Sequence, residues 1–150
     1  MLGSTYSDQV CSVARSLEVV GERWTLLIVR DALLGMRRFE EFQRSLGIAR
    51  NILSDRLAKL VEHGILRRVE YSEKPVRAEY VLTDRGRELR GVILALMQWG
   101  DRNVPNPDGP PRLSRHIGCG GLVTEQPVCQ EHGAIPVSEV EVVPGPGLRG

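Results

Sequence analysis

The stretch ARNILSDRLAKLVEHG, residues 49–64, constrains this chain most. Leu53, Leu57, Leu60 and Val61 recur at i, i+4, i+7 and i+8, which on a helix of 3.6 residues per turn is one narrow apolar stripe. Arg50, Asn51, Ser54, Asp55 and Lys59 are left on the other faces. Gly64 ends the pattern, as glycine does just past a helix C-terminus. A helix of this kind docks on a small core along one edge and presents the rest of its circumference to something else.

Its neighbours supply that core. A helical pattern from about Gln9 carries Val13, Leu17, Val20 and Trp24 and breaks at Gly21. WTLLIVRDALL follows, closed by Gly35, then a basic turn, GMRR, and FEEFQRSL, with Phe39, Phe42 and Leu46 on one face. After the 49–63 helix come two alternating stretches, ILRRVEY (65–71) and AEYVLT (78–83), which predict a two-stranded hairpin around the polar loop SEKPVR. Thr83 or Asp84 then caps a last helix, DRGRELRGVILALMQWGDR, with Leu89, Ile93, Leu96, Met97 and Trp99 along one side. Trp24 and Trp99 read as core or interface residues. No internal repeat is visible at solenoid periods.

Three short helices, a hairpin with cations at its tip and a long apolar helix form the winged helix-turn-helix order, a mainly α fold with a small β wing. A helix such as 49–63 fits the DNA major groove, where base edges carry distinct donor and acceptor patterns. Lys74 and Arg77 at the hairpin tip reach flanking phosphates or the minor groove. Charge agrees in sign: residues 37–77 hold 10 basic against 6 acidic side chains, although the whole chain is only +1. The bland alternative is a helical core domain whose charges are simply solvated.

The stretches CSVARSLEVVGERWTLLIVRDALLG, RRFEEFQRSLGIARNILSDRLAKLVEHGILRR and PVRAEYVLTDRGREL, within residues 11–104, resemble the HxlR-type branch of the MarR-like winged-helix transcription regulators. The resemblance implies a homodimeric, sequence-specific DNA-binding regulator with no enzymatic activity, paired through its N- and C-terminal helices. It makes Ala49–His63 the recognition helix. Arg50, Asn51, Ser54 and Arg56 are then the base-edge or phosphate candidates. Arg pairs bidentately with guanine and Asn with adenine, each worth about 1–3 kcal/mol of discrimination. Arg56 has a competing reading as a salt bridge to Glu62 or Asp55, and Ser54 as simple exposure. Asp55 is either neutralised by an Arg or aimed at a cytosine amino group. Arg38, Arg44 and Lys59 are further DNA candidates, whereas Arg67 and Arg68 read equally as solvated strand charges. Ala49 departs from the hydroxyl N-cap usual at this place in the family, a loss of about 1 kcal/mol.

A dimer also follows from the residues. Val13, Leu17 and Val20, with Ile93, Leu94, Leu96 and Met97, are more apolar surface than so small a domain hides alone. The expectation is a two-fold pair reading half-sites about one helical turn apart. With about six phosphates contacted per dimer, the log–log salt slope of affinity would be roughly −5.

Cys11 opens the first helix, where some HxlR-type regulators carry a cysteine that senses oxidants or electrophiles. A thiol near a helix N-terminus gains reactivity; the alternative is a small residue packed at the dimer interface.

After Asn103 the texture changes. VPNPDGPPR is a Pro-rich linker, and RHIGCGGLVTEQPVCQEHG follows it. That segment holds His116-x-x-Cys119-Gly and Cys129-x-x-His132-Gly, nine residues apart. Two close pairs of soft and borderline donors suit a structural Zn²⁺, and Gly120 and Gly133 allow the backbone to turn with positive φ behind each pair. An appendage this small needs such a staple. The first half resembles the His-x-x-Cys-Gly start of C-terminal extensions in some HxlR-type proteins, where the second half more often ends in Cys than in His132. A Cys119–Cys129 disulfide or redox pair and a metal-free, loosely ordered tail are the other readings. A catalytic zinc fits poorly, because four protein ligands close the coordination sphere and no carboxylate stands by as base.

The resulting domain reading is a DNA-binding and dimerisation domain over 1–104, a linker over 105–114, a zinc-ribbon-like appendage over 115–136 and a Pro/Gly-rich, frayed tail over 137–150. The N-terminus has no basic-then-apolar signal pattern and no stretch approaches a membrane span, so the expected location is the cytoplasm. The partners are double-stranded DNA and a second copy of the chain, and a repressor is the expected mode. The rival reading, from another class, is a zinc-dependent protein–protein interaction module with the helical domain as scaffold.

Overall fold

The computed structural model describes residues 5, 6 and 8–148. The opening of the N-terminal signal reading and the last two residues of the tail reading lie outside them. The described chain forms two compact units, one up to Arg90 and one from Gly91 on.

The first unit begins with α1 (Ser12–Val20) and α2 (Thr25–Leu33), joined by the tight GERW turn. Trp24 enters α2 at φ 82°, a left-handed conformation rare for a bulky side chain. α3 (Phe39–Leu46) stops at Gly47, whose φ of 63° closes the helix, and α4 (Arg50–Glu62) starts after Ala49. Ile28 and Val29 from α2, Phe42 from α3, Ile48 from the turn and Leu53, Leu57 and Leu60 from α4 form the core, with Ile65 and Leu66 closing it below. The expected α4 stripe is therefore the buried one, with Val61 at its margin.

β1 (Leu66–Glu73) pairs antiparallel with β2 (Val76–Leu82), with a register shift at Glu70/Ser72. The hairpin is longer than its hydrophobic alternation predicts. Near the tip both faces are exposed, so polarity carries no signal there, but the backbone ladder continues to a two-residue Lys74–Pro75 turn. The Tyr80 N–H donates to the Arg37 carbonyl at 2.7 Å and an Arg38–Glu79 bridge adjoins it, so the turn before α3 is anchored to the wing.

The predicted last helix is two. α5 (Asp84–Arg87) is capped by the Thr83 hydroxyl, which accepts from the Gly86 N–H at 3.0 Å, and α6 (Arg90–Asn103) follows a break at Glu88–Leu89. Gly86 is buried so close to β1 that a Cβ there would lie 2.2 Å from the Ile65 carbonyl oxygen. Close packing of that short turn, invisible to hydrophobic spacing, ends the first helix early.

In the second unit Gln98 of α6 bonds the appendage with both ends of its amide. Gln98 donates to the Val123 carbonyl and accepts from the Glu125 N–H, both at 2.8 Å. Two small hairpins follow. One is closed by the Arg115–Leu122 bridge, and the other pairs β3 (Val128–Cys129) with β4 (Gly133–Ala134). A 3-10 turn, Val137–Glu139, lies in the region read as tail.

Candidate nucleic-acid interface

α3, the Gly47–Ala49 turn and α4 make a helix-turn-helix, and the wing stands beside it within the same unit. Arg50, Asn51 and Ser54 are exposed on α4, and Lys74 and Arg77 are exposed at the hairpin tip. α4 begins without a side-chain cap and without an acidic residue in its first turn. Its leading amides are therefore open to an anion, and the helix dipole favours negative charge there. At α3 the opposite holds: the Glu41 carboxylate accepts the N–H groups of Arg37 and Arg38 at 2.8 and 3.0 Å. Those two backbone bonds hold the Glu41 carboxyl below its ordinary range.

Two α4 candidates are engaged inside the chain. Arg56 donates to Asp55 at 2.6 Å, to Glu22 at 2.9 Å and to the Arg23 carbonyl at 3.1 Å. Lys59 meets Glu22 at 3.0 Å and Asp55 at 3.4 Å. Bonding to Glu22, then to Asp55, raises the Lys59 ammonium above its usual value. The Arg56 partners are thus Asp55 and Glu22, not Glu62, and Asp55 is neutralised by its neighbours. This four-residue cluster fastens α4 to the turn between α1 and α2.

Arg38 and Arg50 stand elsewhere. With Phe39, Arg68, Tyr71 and Arg77 they line a groove of about 430 Å³ between α3, the start of α4 and the wing. The Arg50 guanidinium lies 4.7 Å from the Phe39 ring centroid and 3.4 Å from Gln43 Oε1. That of Arg38 lies 5.2 Å from the Tyr71 centroid, with its Nε 3.7 Å from Glu79. Arg68 pairs with Glu70 at 2.7 Å, and that bond raises its guanidinium further. Arg44 is exposed on the last turn of α3, and Arg67 is exposed on β1. The aromatic walls were not expected from sequence: Phe39 shares its helical face with the core residue Phe42, and the cation over Tyr71, Arg38, is remote from it in the chain.

The remaining candidates are placed as follows. Cys11 is free and exposed at the N-cap of α1. On α1, Val13 and Leu17 are exposed but Val20 is buried in its own unit, so it is not available to a second copy as expected. On α6, Leu96 and Trp99 are exposed, and Ile93, Leu94 and Met97 are partly so.

In the appendage, His116 Nδ1 lies 3.3 Å from Cys119 Sγ, and Cys129 Sγ lies 3.6 Å from His132 Nδ1. Gly120 and Gly133 have φ of 72° and 77°, as the twin knuckles require. The Gly121 N–H points at Cys119 Sγ at 3.4 Å. The N–H groups of Glu131 and His132 hold the Cys129 thiol below its usual range. Each knuckle is formed, yet among the described residues no three His, Cys, Asp or Glu side chains gather as a metal site. The donors are brought together two by two.

The model of HxlR-like helix-turn-helix proteins matches residues 19–108. The chain belongs to this family. A protein of Mycobacterium tuberculosis, the uncharacterized HTH-type transcriptional regulator Rv3095, is 50% identical over 139 residues, covering 92% of this chain and 88% of that one. The crystal structure of PA1607, a transcription-factor candidate, aligns over 89% of this chain and 94% of its own, with TM-score 0.77 and 40% identity. The reduced form of the redox regulator HypR covers 63% of this chain and 96% of its own, with TM-score 0.59 and 33% identity. As an HxlR-like protein this chain is a DNA-binding transcriptional regulator; the family and these relatives are regulators rather than enzymes. No helix among the described residues is long and apolar enough to cross a membrane.

Proposed function

We propose that the chain works in the cytoplasm as a two-fold homodimeric repressor. It places α4 of each copy in successive major grooves and the wing tips on the flanking backbone. The observation that carries this reading is the exposed first turn of α4, Arg50 and Asn51, beside an arginine-lined groove. Asn51 and Ser54 face base edges, while Arg44, Lys74 and Arg77 meet phosphates. Arg56 and Lys59 hold the helix in place. The exposed apolar side chains of α1 and α6, led by Val13, Leu17, Leu96 and Trp99, supply the surface for the second copy. Exposed Cys11 at the start of α1, and the likeness to a redox regulator, support oxidation as the signal.

We also propose a structural Zn²⁺ on His116, Cys119, Cys129 and His132. The donor types and the glycine-backed turns support it; the two knuckles must close on one ion to satisfy four-coordination. Zinc would supply cross-linking alone, since no ligand position is left open for chemistry.

Selection of bound fragments from genomic DNA tests the DNA reading. The protein should enrich a sequence with inverted half-sites, and Asn51→Ala should relax preference at one position per half-site while Arg44→Ala weakens all sequences alike. Enrichment of no sequence, with binding abolished by ordinary competitor DNA, would fit the interaction-module reading instead.

A further inference from the structure

We propose that Phe39 and Tyr71 are positioning residues that hold Arg50 and Arg38 ready for a backbone phosphate seated in the groove between the wing and the two helices. This rests on the reading of that face as the DNA-binding one, and it assigns work to two side chains that touch no DNA themselves.

The geometry carries the inference. Both guanidinium groups lie over aromatic rings, at 4.7 and 5.2 Å from the centroids, within the range of a cation–π contact. A stack occupies only the flat face of a guanidinium. A ring face accepts no more than part of the five N–H donors of a guanidinium, so a cation–π contact and phosphate binding are compatible. Gln43 takes one Arg50 donor at a long 3.4 Å, and Glu79 stands 3.7 Å from Arg38 Nε. Both arginines line a groove of about 430 Å³ that Arg68 and Arg77 also line, with Glu40 as the one carboxylate among its lining residues. The contrast with Arg56 is direct: its Nε and Nη1 already bond a carbonyl, Asp55 and Glu22. A long arginine free in water loses much rotamer freedom when it docks. One already laid on a ring has lost it beforehand, so ring removal should weaken binding only while the arginine is present.

The test is a double-mutant cycle on affinity for a mixed-sequence DNA duplex, with melting curves confirming that each variant folds. Arg50→Ala should weaken binding about eightfold per copy at 0.1 M salt and make the log–log slope about 0.9 less negative per copy, so about 1.8 for the dimer. Phe39→Leu should weaken it about three- to fivefold, and should add nothing on the Arg50→Ala background. The exposed pair gives a second cycle that does not depend on a half-buried residue: Tyr71→Leu with Arg38→Ala should behave likewise, and Tyr71→Phe, which keeps the ring, should bind as the parent does. Ring losses that add fully to the arginine losses in both cycles, or ring variants that bind as the parent, would overturn the positioning role. Arginine variants that leave binding and slope unchanged would overturn the DNA face itself, and the positioning role with it.

Discussion

Arg50 and Arg56 stand six positions apart on one helix in different surroundings: Arg50 lies over the Phe39 ring, and Arg56 is bound to Asp55, Glu22 and the Arg23 carbonyl. Arg50 was legible from sequence because the first turn of α4 lies outside the Leu53–Leu57–Leu60 stripe. The fate of Arg56 was only half legible. Its pairing with Asp55 is local, but Glu22 and the Arg23 carbonyl come from a turn remote in the chain, and no spacing rule reaches that far. Cys11 is the other residue that matters here. It was read from position alone, and it is exposed where the helix starts. Mild peroxide should oxidise Cys11, and the oxidised protein should bind its selected DNA several-fold more weakly; a Cys11→Ser variant should not respond to the oxidant. Mass spectrometry on the same samples used for binding checks both points, and unchanged affinity with Cys11 fully oxidised would rule out the sensor.

Among elements, those defined by an apolar stripe were readable and those defined by packing were not. α3 falls on FEEFQRSL, and α4 begins and ends one residue inside the predicted Ala49–His63 span, whose two end residues are its caps. The last helix is broken at Glu88–Leu89, after a short turn that Thr83 caps and that Gly86 lets press against the Ile65 carbonyl. The wing runs further than its pattern because ladder bonding does not need alternating polarity at an exposed tip. In the appendage, the positive φ at Gly120 and Gly133 was anticipated from the position of each glycine after its pair. Closure of the two knuckles on each other was not something spacing could supply, and it is the step a metal would drive. Freshly purified protein should therefore contain roughly one zinc per chain. Chelation should lower the thermal stability of the region after Pro105 and leave α4 and the wing folded. Metal-free protein with the same protease resistance in residues 115–136 would dismiss the zinc staple.

For the whole molecule, the order of helices, turn and hairpin was legible because each element repeats its own hydrophobic period, and the family follows from that order together with its motifs. The compact division falls at the start of α6, ahead of the Pro-rich stretch. The second copy was inferred from apolar surplus, and one member of that surplus, Val20, is consumed by the core. Val13, Leu17, Leu96 and Trp99 remain exposed and keep the inference standing. The central claim is that two copies of α4 read one operator from the same face of the duplex. Hydroxyl-radical footprinting on a selected fragment tests it most directly. Two protected blocks related by a dyad are expected, about 10 base pairs centre to centre or a multiple of that, and Arg50→Ala should weaken both together at the same protein concentration. A single asymmetric block, or two blocks that Arg50→Ala leaves intact, would contradict it.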